Sequence, residues 1–97
     1  MIKVIVEENK IEVSGHANYD EYGKDIVCAS VSSIVITTIN GIIDIDEDSI
    51  YYEDKDNKIL IEIKKDNETV KKLINNMVFM LESLEKDYPK NIKILRR

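Results

Sequence analysis

GHANYDEYGKDIVCASVS, residues 15–32, leads from a predicted strand into the longest predicted helix. This stretch holds the only histidine of the chain, His16, and its only cysteine, Cys28. A strand that ends near residue 14 and a helix that begins at Asp25 bring both side chains to the same end of the fold. We therefore expect any thiol chemistry of the chain at this junction.

A cysteine and a histidine at such a junction are suited to nucleophilic catalysis. The thiolate is the attacking form of cysteine, and histidine accepts a proton near neutral pH. In the first turn of a helix, unpaired amides and the helix dipole favour the thiolate of Cys28. Gly15 permits a tight turn before His16, and Asp25 is placed to cap the helix. The residue types alone also allow Cys28 to be a small buried hydrophobic residue.

Gly15, His16 and Ala17, followed by Gly23 and the run DIVCASVS at residues 25–32, resemble the ribosomal-processing cysteine proteases called Prp. The resemblance extends over the whole chain in length and in the order of elements, and these two blocks are its specific part. It implies a cysteine endopeptidase that removes a short N-terminal extension from large-subunit ribosomal protein twenty-seven during ribosome assembly.

The resemblance makes Cys28 the nucleophile and His16 its general base. Asp25 and Ser32 match further positions of the motif. Asp25 either orients His16 or caps the helix, and Ser32 either lies at the site, one turn after Cys28, or bonds back to a helix carbonyl. The backbone amides around Cys28 and Ala29 are expected oxyanion donors.

Residues 17–24 show no sustained hydrophobic period and are predicted to form a loop. Loops held between rigid elements often contact substrate, which assigns Tyr19, Tyr22 and Gly23 to a substrate loop. A plain surface connection is the alternative.

Other site chemistries fit the sequence less well. One cysteine and one histidine are too few ligands for a zinc site, and the alternating acids of residues 44–48 lack the glycine turn of a calcium loop. We expect no metal and no cofactor. The rival to a protease is a non-catalytic ribosome-assembly or protein-interaction module in which Cys28 is structural.

The composition is typical of a globular protein, with 97 residues, 43% of them hydrophobic and 34% charged. We expect one domain over residues 1–97. A net charge of −5 argues against direct nucleic-acid binding, which requires a basic face. No disulfide, leader or membrane-spanning run is predicted, so we expect a cytoplasmic protein.

The hydrophobic periods predict the order β-β-α-β-β-α-β. Alternating apolar residues at 2–6 and 11–13 indicate one hairpin, those at 50–53 and 59–63 a second, and those at 92–94 a last strand. Because hairpins dominate, we expect a two-layer α+β fold, with a mostly antiparallel or mixed sheet and both helices on one face.

The two predicted helices differ in amphipathicity. Residues 25–43 are apolar on most of the helix surface apart from one polar stripe, which indicates burial and favours a homodimer in which two such helices cover each other. The second helix is capped by Asp66 or Asn67, and Pro89 ends it.

Tyr51 and Tyr52 are neighbours in the third predicted strand. Aromatic residues favour sheet, and successive side chains of a strand point to opposite faces. We therefore expect at least one of these tyrosines in the core.

Overall fold

The computed structural model describes residues 1–15 and 22–97, with only the backbone for residues 22–25. Its elements are β1 (Ile2–Val6), β2 (Lys10–Ser14), α1 (Tyr22–Asp46), β3 (Ile50–Lys55), β4 (Lys58–Ile63), α2 (Glu68–Asp87) and β5 (Ile92–Arg96). This order and the α+β class are those predicted from the sequence.

The five strands form one mixed sheet in the order β3-β4-β2-β1-β5. β1 pairs with β2, β2 with β4 and β3 with β4, all antiparallel, whereas β1 and β5 are parallel. The β1–β2 and β3–β4 pairs are the two predicted hairpins. The sheet has β3 at one edge and β5 at the other.

One hydrophobic core lies between the inner face of the sheet and the two helices. Alternate strand residues are buried, as a sheet covered on one face requires. Each fully buried aliphatic side chain stabilises the fold by about 1.5–3 kcal/mol relative to exposure. The helices contribute Val27, Val31, Val35, Ile39 and Ile42 from α1, and Val70, Ile74, Met77, Val78 and Leu81 from α2.

α1 is longer at both ends than the predicted range of 25–43, since it begins at Tyr22 and ends at Asp46. The predicted loop is therefore helical from Tyr22 onward, and residues 44–46 of the acidic stretch 44–48 also belong to the helix. Ser49, which is fully buried, donates to the carbonyl oxygen of Asp46 from its amide (3.1 Å) and from its hydroxyl (2.7 Å). These two bonds satisfy a carbonyl at the helix end.

Residues 26–46 of α1 are long and apolar enough to cross a membrane, by length and composition alone. In the fold, this segment packs its valine and isoleucine stripe into the core. Four residues of the predicted polar stripe, Ser33, Thr37, Asn40 and Asp44, are exposed on the opposite side. The apolar composition of α1 is thus explained in part by its burial in the core of a two-layer fold.

Asn67 is the cap of α2. Its side-chain oxygen accepts a hydrogen bond of 3.1 Å from the amide of Val70, which decides between the two predicted caps. At the other end, the amide of Tyr88 donates to the carbonyl oxygen of Leu84 (2.9 Å), and Pro89 follows. The predicted end of this helix is confirmed.

Tyr51 and Tyr52 are 45% and 46% exposed. The prediction that at least one of them belongs to the core is wrong. β3 is an edge strand, and only its first residue, Ile50, is buried. An edge position leaves the remainder of the strand uncovered on one side.

Candidate active site

β2 ends in a turn that only glycine fits. Gly15 has a φ of +78°, in the left-handed region. A Cβ at this position would lie 2.6 Å from the carbonyl oxygen of Met1, closer than real Cβ atoms approach. Conformation and space both require glycine directly before His16.

The β3–β4 turn lies against this end of β2. Asp56 and Asn57 have φ values of 56° and 61°, as in a two-residue type I′ turn between Lys55 and Lys58. The amide of Gly15 donates to the carbonyl oxygen of Asn57 over 3.2 Å. The start of the predicted catalytic stretch is therefore bonded to a second hairpin.

Cys28 is the seventh residue of α1 and lies in its second turn. Its predicted place in the first turn, and the prediction of Asp25 as N-cap, are wrong because α1 begins at Tyr22. Only the amides of the first turn of a helix lack a helical acceptor. The amide of Ala29 lies beyond them, so the premise for its role as an oxyanion donor is not met.

Cys28 is half-buried and packs against the edge of the core. Ser30 and Ile34 lie on the flank of α1 that lines a groove with α2. At 100° per residue, Cys28 and Ser32 lie on the opposite flank. Because α1 contacts β3 whereas α2 contacts β5, that flank faces the β3 side of the molecule.

Ser32 differs from its neighbours in hydrogen bonding. The hydroxyls of Ser30 and Thr38 bond back to the carbonyl oxygens of Ile26 and Ile34, at 2.9 and 2.8 Å. Such a bond is the alternative predicted for Ser32, but Ser32 makes no side-chain hydrogen bond within residues 1–15 and 22–97. Ser32 is half-buried, one turn after Cys28.

The remaining predicted site residues are described in part. His16 and Tyr19 lie outside the described residues. For Tyr22, Gly23 and Asp25 the backbone alone is described, within α1. Their roles stay predictions. Among the side chains that the structure describes, no three His, Cys, Asp or Glu residues come together as a metal site.

Asn57 contacts the start of the predicted catalytic stretch but is not among the site residues predicted from the sequence. An Asp-Asn pair between two alternating strands is a signal for a two-residue turn. The pair does not reveal that its turn contacts the end of β2, because that contact joins residues 42 positions apart (57 − 15).

The chain resembles known proteins in sequence. A family described as cysteine protease Prp matches residues 1–93. The ribosomal processing cysteine protease Prp of Bacillus subtilis (strain 168) is 35% identical, over 86% of this chain and 80% of that protein. The protein of the same name from Staphylococcus aureus (strain Mu50) is 31% identical, over 84% of this chain and 80% of its own length.

The fold is also similar to solved structures. The essential ribosomal processing protease Prp of S. aureus, in complex with a covalently linked product peptide, superimposes with a TM-score of 0.85 at 27% identity and covers all of both chains. The same protease in complex with a substrate peptide gives a TM-score of 0.87 at 23% identity, over 99% of this chain and 97% of that chain. At 23% identity, this second match shows only that the two chains share a fold.

Proposed function

This chain belongs to the Prp family of cysteine proteases, and we propose that Cys28 is the nucleophile with which it cleaves a peptide bond. A protease of this class needs a thiol, and the chain has one cysteine. The observation that carries the proposal is the position of this only thiol, half-buried on the flank of α1 toward β3.

His16 is the proposed general base. It is the only histidine, and it follows Gly15, whose conformation is restrained by the Met1 carbonyl and by the bond to Asn57. In the proposed reaction, the imidazole accepts the thiol proton and the thiolate attacks the scissile carbonyl. The protonated imidazole then gives its proton to the leaving amine, and water hydrolyses the acyl-enzyme.

Four further residues have proposed supporting roles. With α1 beginning at Tyr22, orientation of His16 is the role that remains for Asp25. Tyr19, Tyr22 and Gly23 are proposed to contact the peptide, because they lie between the base and the nucleophile in the chain.

The proposed substrate is the N-terminal extension of large-subunit ribosomal protein twenty-seven. The relatives from B. subtilis and S. aureus are named for ribosomal processing, which supports a ribosomal protein as substrate. Ribosomal proteins tend to be basic, and a net charge of −5 attracts a basic peptide. The cytoplasm, where ribosomes assemble, is the corresponding proposed location.

A homodimer is proposed through the outer face of α1. This face borders a groove of about 540 Å³ between α1 and α2, lined across from α1 by Met80 and Leu84. In a chain that is 34% charged, the exposed residues of α1 from 26 to 40 carry no charge. They are Ile26, Ala29, Ser33, Ile36, Thr37 and Asn40. A second copy of α1 suits such a surface, and Ile36→Glu is expected to yield a monomer in light scattering.

The test of the proposed reaction is cleavage of the extended ribosomal protein, followed by mass spectrometry. Wild type is expected to give one trimmed product, whereas Cys28→Ala and His16→Ala give none while circular dichroism shows them folded. Cys28→Ser is expected to lose at least 100-fold in kcat, because a hydroxyl is a far weaker nucleophile than a thiolate. Equal cleavage by Cys28→Ala would remove Cys28 from the reaction. Binding of the extension without cleavage by wild type would favour the interaction module.

A further inference from the structure

The two edge strands of the sheet differ in how their outer sides are covered, and side chains of α2 cover β5. The amide of Ile94 donates to Glu85 Oε2 of α2 over 3.0 Å. The Arg96 guanidinium is paired with the Glu82 carboxylate, 3.1 Å apart. Edge strands present backbone groups that invite another strand, and side chains that cover them prevent such pairing. α2 therefore closes the β5 edge.

β3 has no such cover from the described residues. Its two-residue turn makes Lys55 and Lys58 a hydrogen-bonded pair, and antiparallel ladders alternate, so Tyr51 and Glu53 also bond to β4. The amide and carbonyl groups of the intervening residues then point away from β4. Within residues 1–15 and 22–97, no hydrogen bond reaches these outward groups of β3.

We call the outward backbone of Tyr52 and Asp54 the β3 edge. Both residues lie on the helix side of the sheet, because they pair with Ile61 and Ile59, which are buried on that face. Tyr52 is nevertheless 46% exposed. A large aromatic residue on the core side of the sheet is thus about half exposed, on the side toward which α1 turns the flank that bears Cys28.

We propose that the β3 edge binds the substrate peptide as an added strand. The peptide backbone pairs with Tyr52 and Asp54, and an apolar side chain of the peptide lies on the Tyr52 ring. This mode of recognition takes affinity from backbone hydrogen bonds and specificity from alternate side chains. The proposal rests on the proposed function, since the ligand is the substrate of that reaction.

Three observations indicate the substrate as the occupant. The β3–β4 turn is bonded to Gly15, so the last residues of β3 lie at the same end of the sheet as the residue that precedes the proposed base, with β4 between them. The exposed Asp54 carboxylate gives this edge the charge that favours a basic peptide. The edge also lies on the Cys28 side of α1, whereas the uncharged outer face and its groove lie elsewhere on that helix.

A matched pair of variants at Asp54 tests the backbone contact. Asp54→Ala removes the side chain and keeps the amide, whereas Asp54→Pro also removes the outward amide, which an edge strand tolerates. Relative to Asp54→Ala, we expect Asp54→Pro to raise the KM for a synthetic peptide spanning the extension junction by about fivefold to tenfold. The kcat and the rate of Cys28 alkylation by iodoacetamide are expected to stay within about twofold.

Tyr52→Ala tests the aromatic contact and is expected to raise the same KM by about fivefold. The control is Phe79→Ala on α2, which removes another exposed aromatic ring at a site remote from β3. Its KM is expected to equal that of wild type. An equal effect of both substitutions would overturn the contact with Tyr52.

A second measurement needs no substitution in β3. Copies of the peptide, each N-methylated at one successive residue, are titrated against the full chain carrying Cys28→Ala, and binding is followed by fluorescence anisotropy. An added strand places alternate peptide amides against the β3 edge, so we expect losses of fivefold or more at every second position. Equal losses at all positions, or none, would overturn the proposal.

The two proposals fail in different ways. Suppose that wild type cleaves the peptide, that Asp54→Pro and Asp54→Ala have equal KM values, and that binding of the N-methylated peptides shows no alternation. These results would overturn binding at the β3 edge and would leave the proposed protease reaction intact. Binding with two-residue alternation but no cleavage supports the β3 edge and overturns the reaction. If Asp54→Pro dissociates a dimer while peptide binding stays unchanged, the β3 edge binds a second copy of the chain rather than the peptide. That result would overturn the proposal.

Discussion

The amide of Gly15 and the carbonyl oxygen of Asn57 are hydrogen-bonded at 3.2 Å, which joins the end of β2 to the β3–β4 turn. Gly15 also packs so closely on Met1 that no side chain fits there. Two contacts thus restrain the direction in which the chain leaves β2. His16 is the next residue, so these contacts are expected to matter for its position.

Gly15→Ala should impair both stability and activity. The new Cβ would lie 2.6 Å from the Met1 carbonyl oxygen at a φ of +78°, so the backbone must shift. We expect a loss of about 1–3 kcal/mol in the free energy of unfolding. Peptide cleavage should fall by at least tenfold, because residue 16 follows directly. Urea denaturation and kcat/KM measure the two effects.

Gly41→Ala is the matched control. Gly41 lies within α1, and a Cβ there meets nothing within 4 Å. Alanine should stabilise the helix by about 0.5–1 kcal/mol with wild-type cleavage. If both glycine substitutions behaved alike, the restraint at Gly15 would be disproved.

Glu85→Ala should open the second edge of the sheet. It removes the acceptor of the Ile94 amide, a half-buried group, and is expected to cost about 1–2 kcal/mol of stability. The uncovered edge should also increase self-association at high concentration, as light scattering would show. Glu82→Ala breaks only the exposed ion pair with Arg96 and should cost about 0–1 kcal/mol. Equal losses would show that the bond between Glu85 and the Ile94 amide adds no more stability than an exposed ion pair.

Asn67→Ala should destabilise α2 by about 1 kcal/mol, since the Val70 amide loses the side-chain oxygen that caps it. Asn75→Ala, at an exposed position inside the same helix, should change stability by less than about 0.5 kcal/mol because alanine is the better helix former. Thermal denaturation of both variants checks the difference. A neutral Asn67→Ala would contradict the cap.

The ion pair of Asp66 and Lys71 should appear in a pH titration. Its atoms are 2.6 Å apart, and the hydrogen bond and charge of Lys71 lower the pKa of the Asp66 carboxyl. A carboxyl with a lowered pKa adds stability above its unfolded pKa, and this stability is lost as pH falls through its folded pKa. Both groups are exposed, so the effect on stability should be small.

Lys71→Met removes the hydrogen bond and the charge. NMR titration of the Asp66 carboxyl should then show a pKa higher than in wild type. The acid side of the stability profile should change little. An unaltered Asp66 pKa would mean that this ion pair does not persist in solution.

Local patterns predict much of this fold. The alternation in β1 and β2 and the helical stripe of α2 identify elements because burial on one face imposes a period of two or of 3.6 residues. An Asp-Asn pair is also a local signal for a two-residue turn, since few other residues tolerate a positive φ, although the predicted strands of this hairpin stop short of it. Such features depend on residues close together in the chain.

Tyr52 shows where local patterns are insufficient. An aromatic residue on the inner face of a strand is predicted to be buried in the core. β3 is an edge strand, however, and Tyr52 is exposed. The start of α1 at Tyr22 rather than Asp25 also contradicts the capping signal, which identifies Asp25 as a suitable cap but does not exclude an earlier start. The exposure of Tyr52 depends on which strand becomes the edge of the sheet.

The sequence by itself determined the order of the elements, the single thiol and histidine, and the glycine between β2 and His16, because periodicity, residue chemistry and backbone preference are local properties. Only the tertiary structure decided the strand order β3-β4-β2-β1-β5, the contact of Gly15 with Asn57, and the contrast between β5, whose edge α2 covers, and β3, whose edge the described residues leave uncovered. These features arise from pairing between residues far apart in the chain, for which many partners are compatible with the same local pattern.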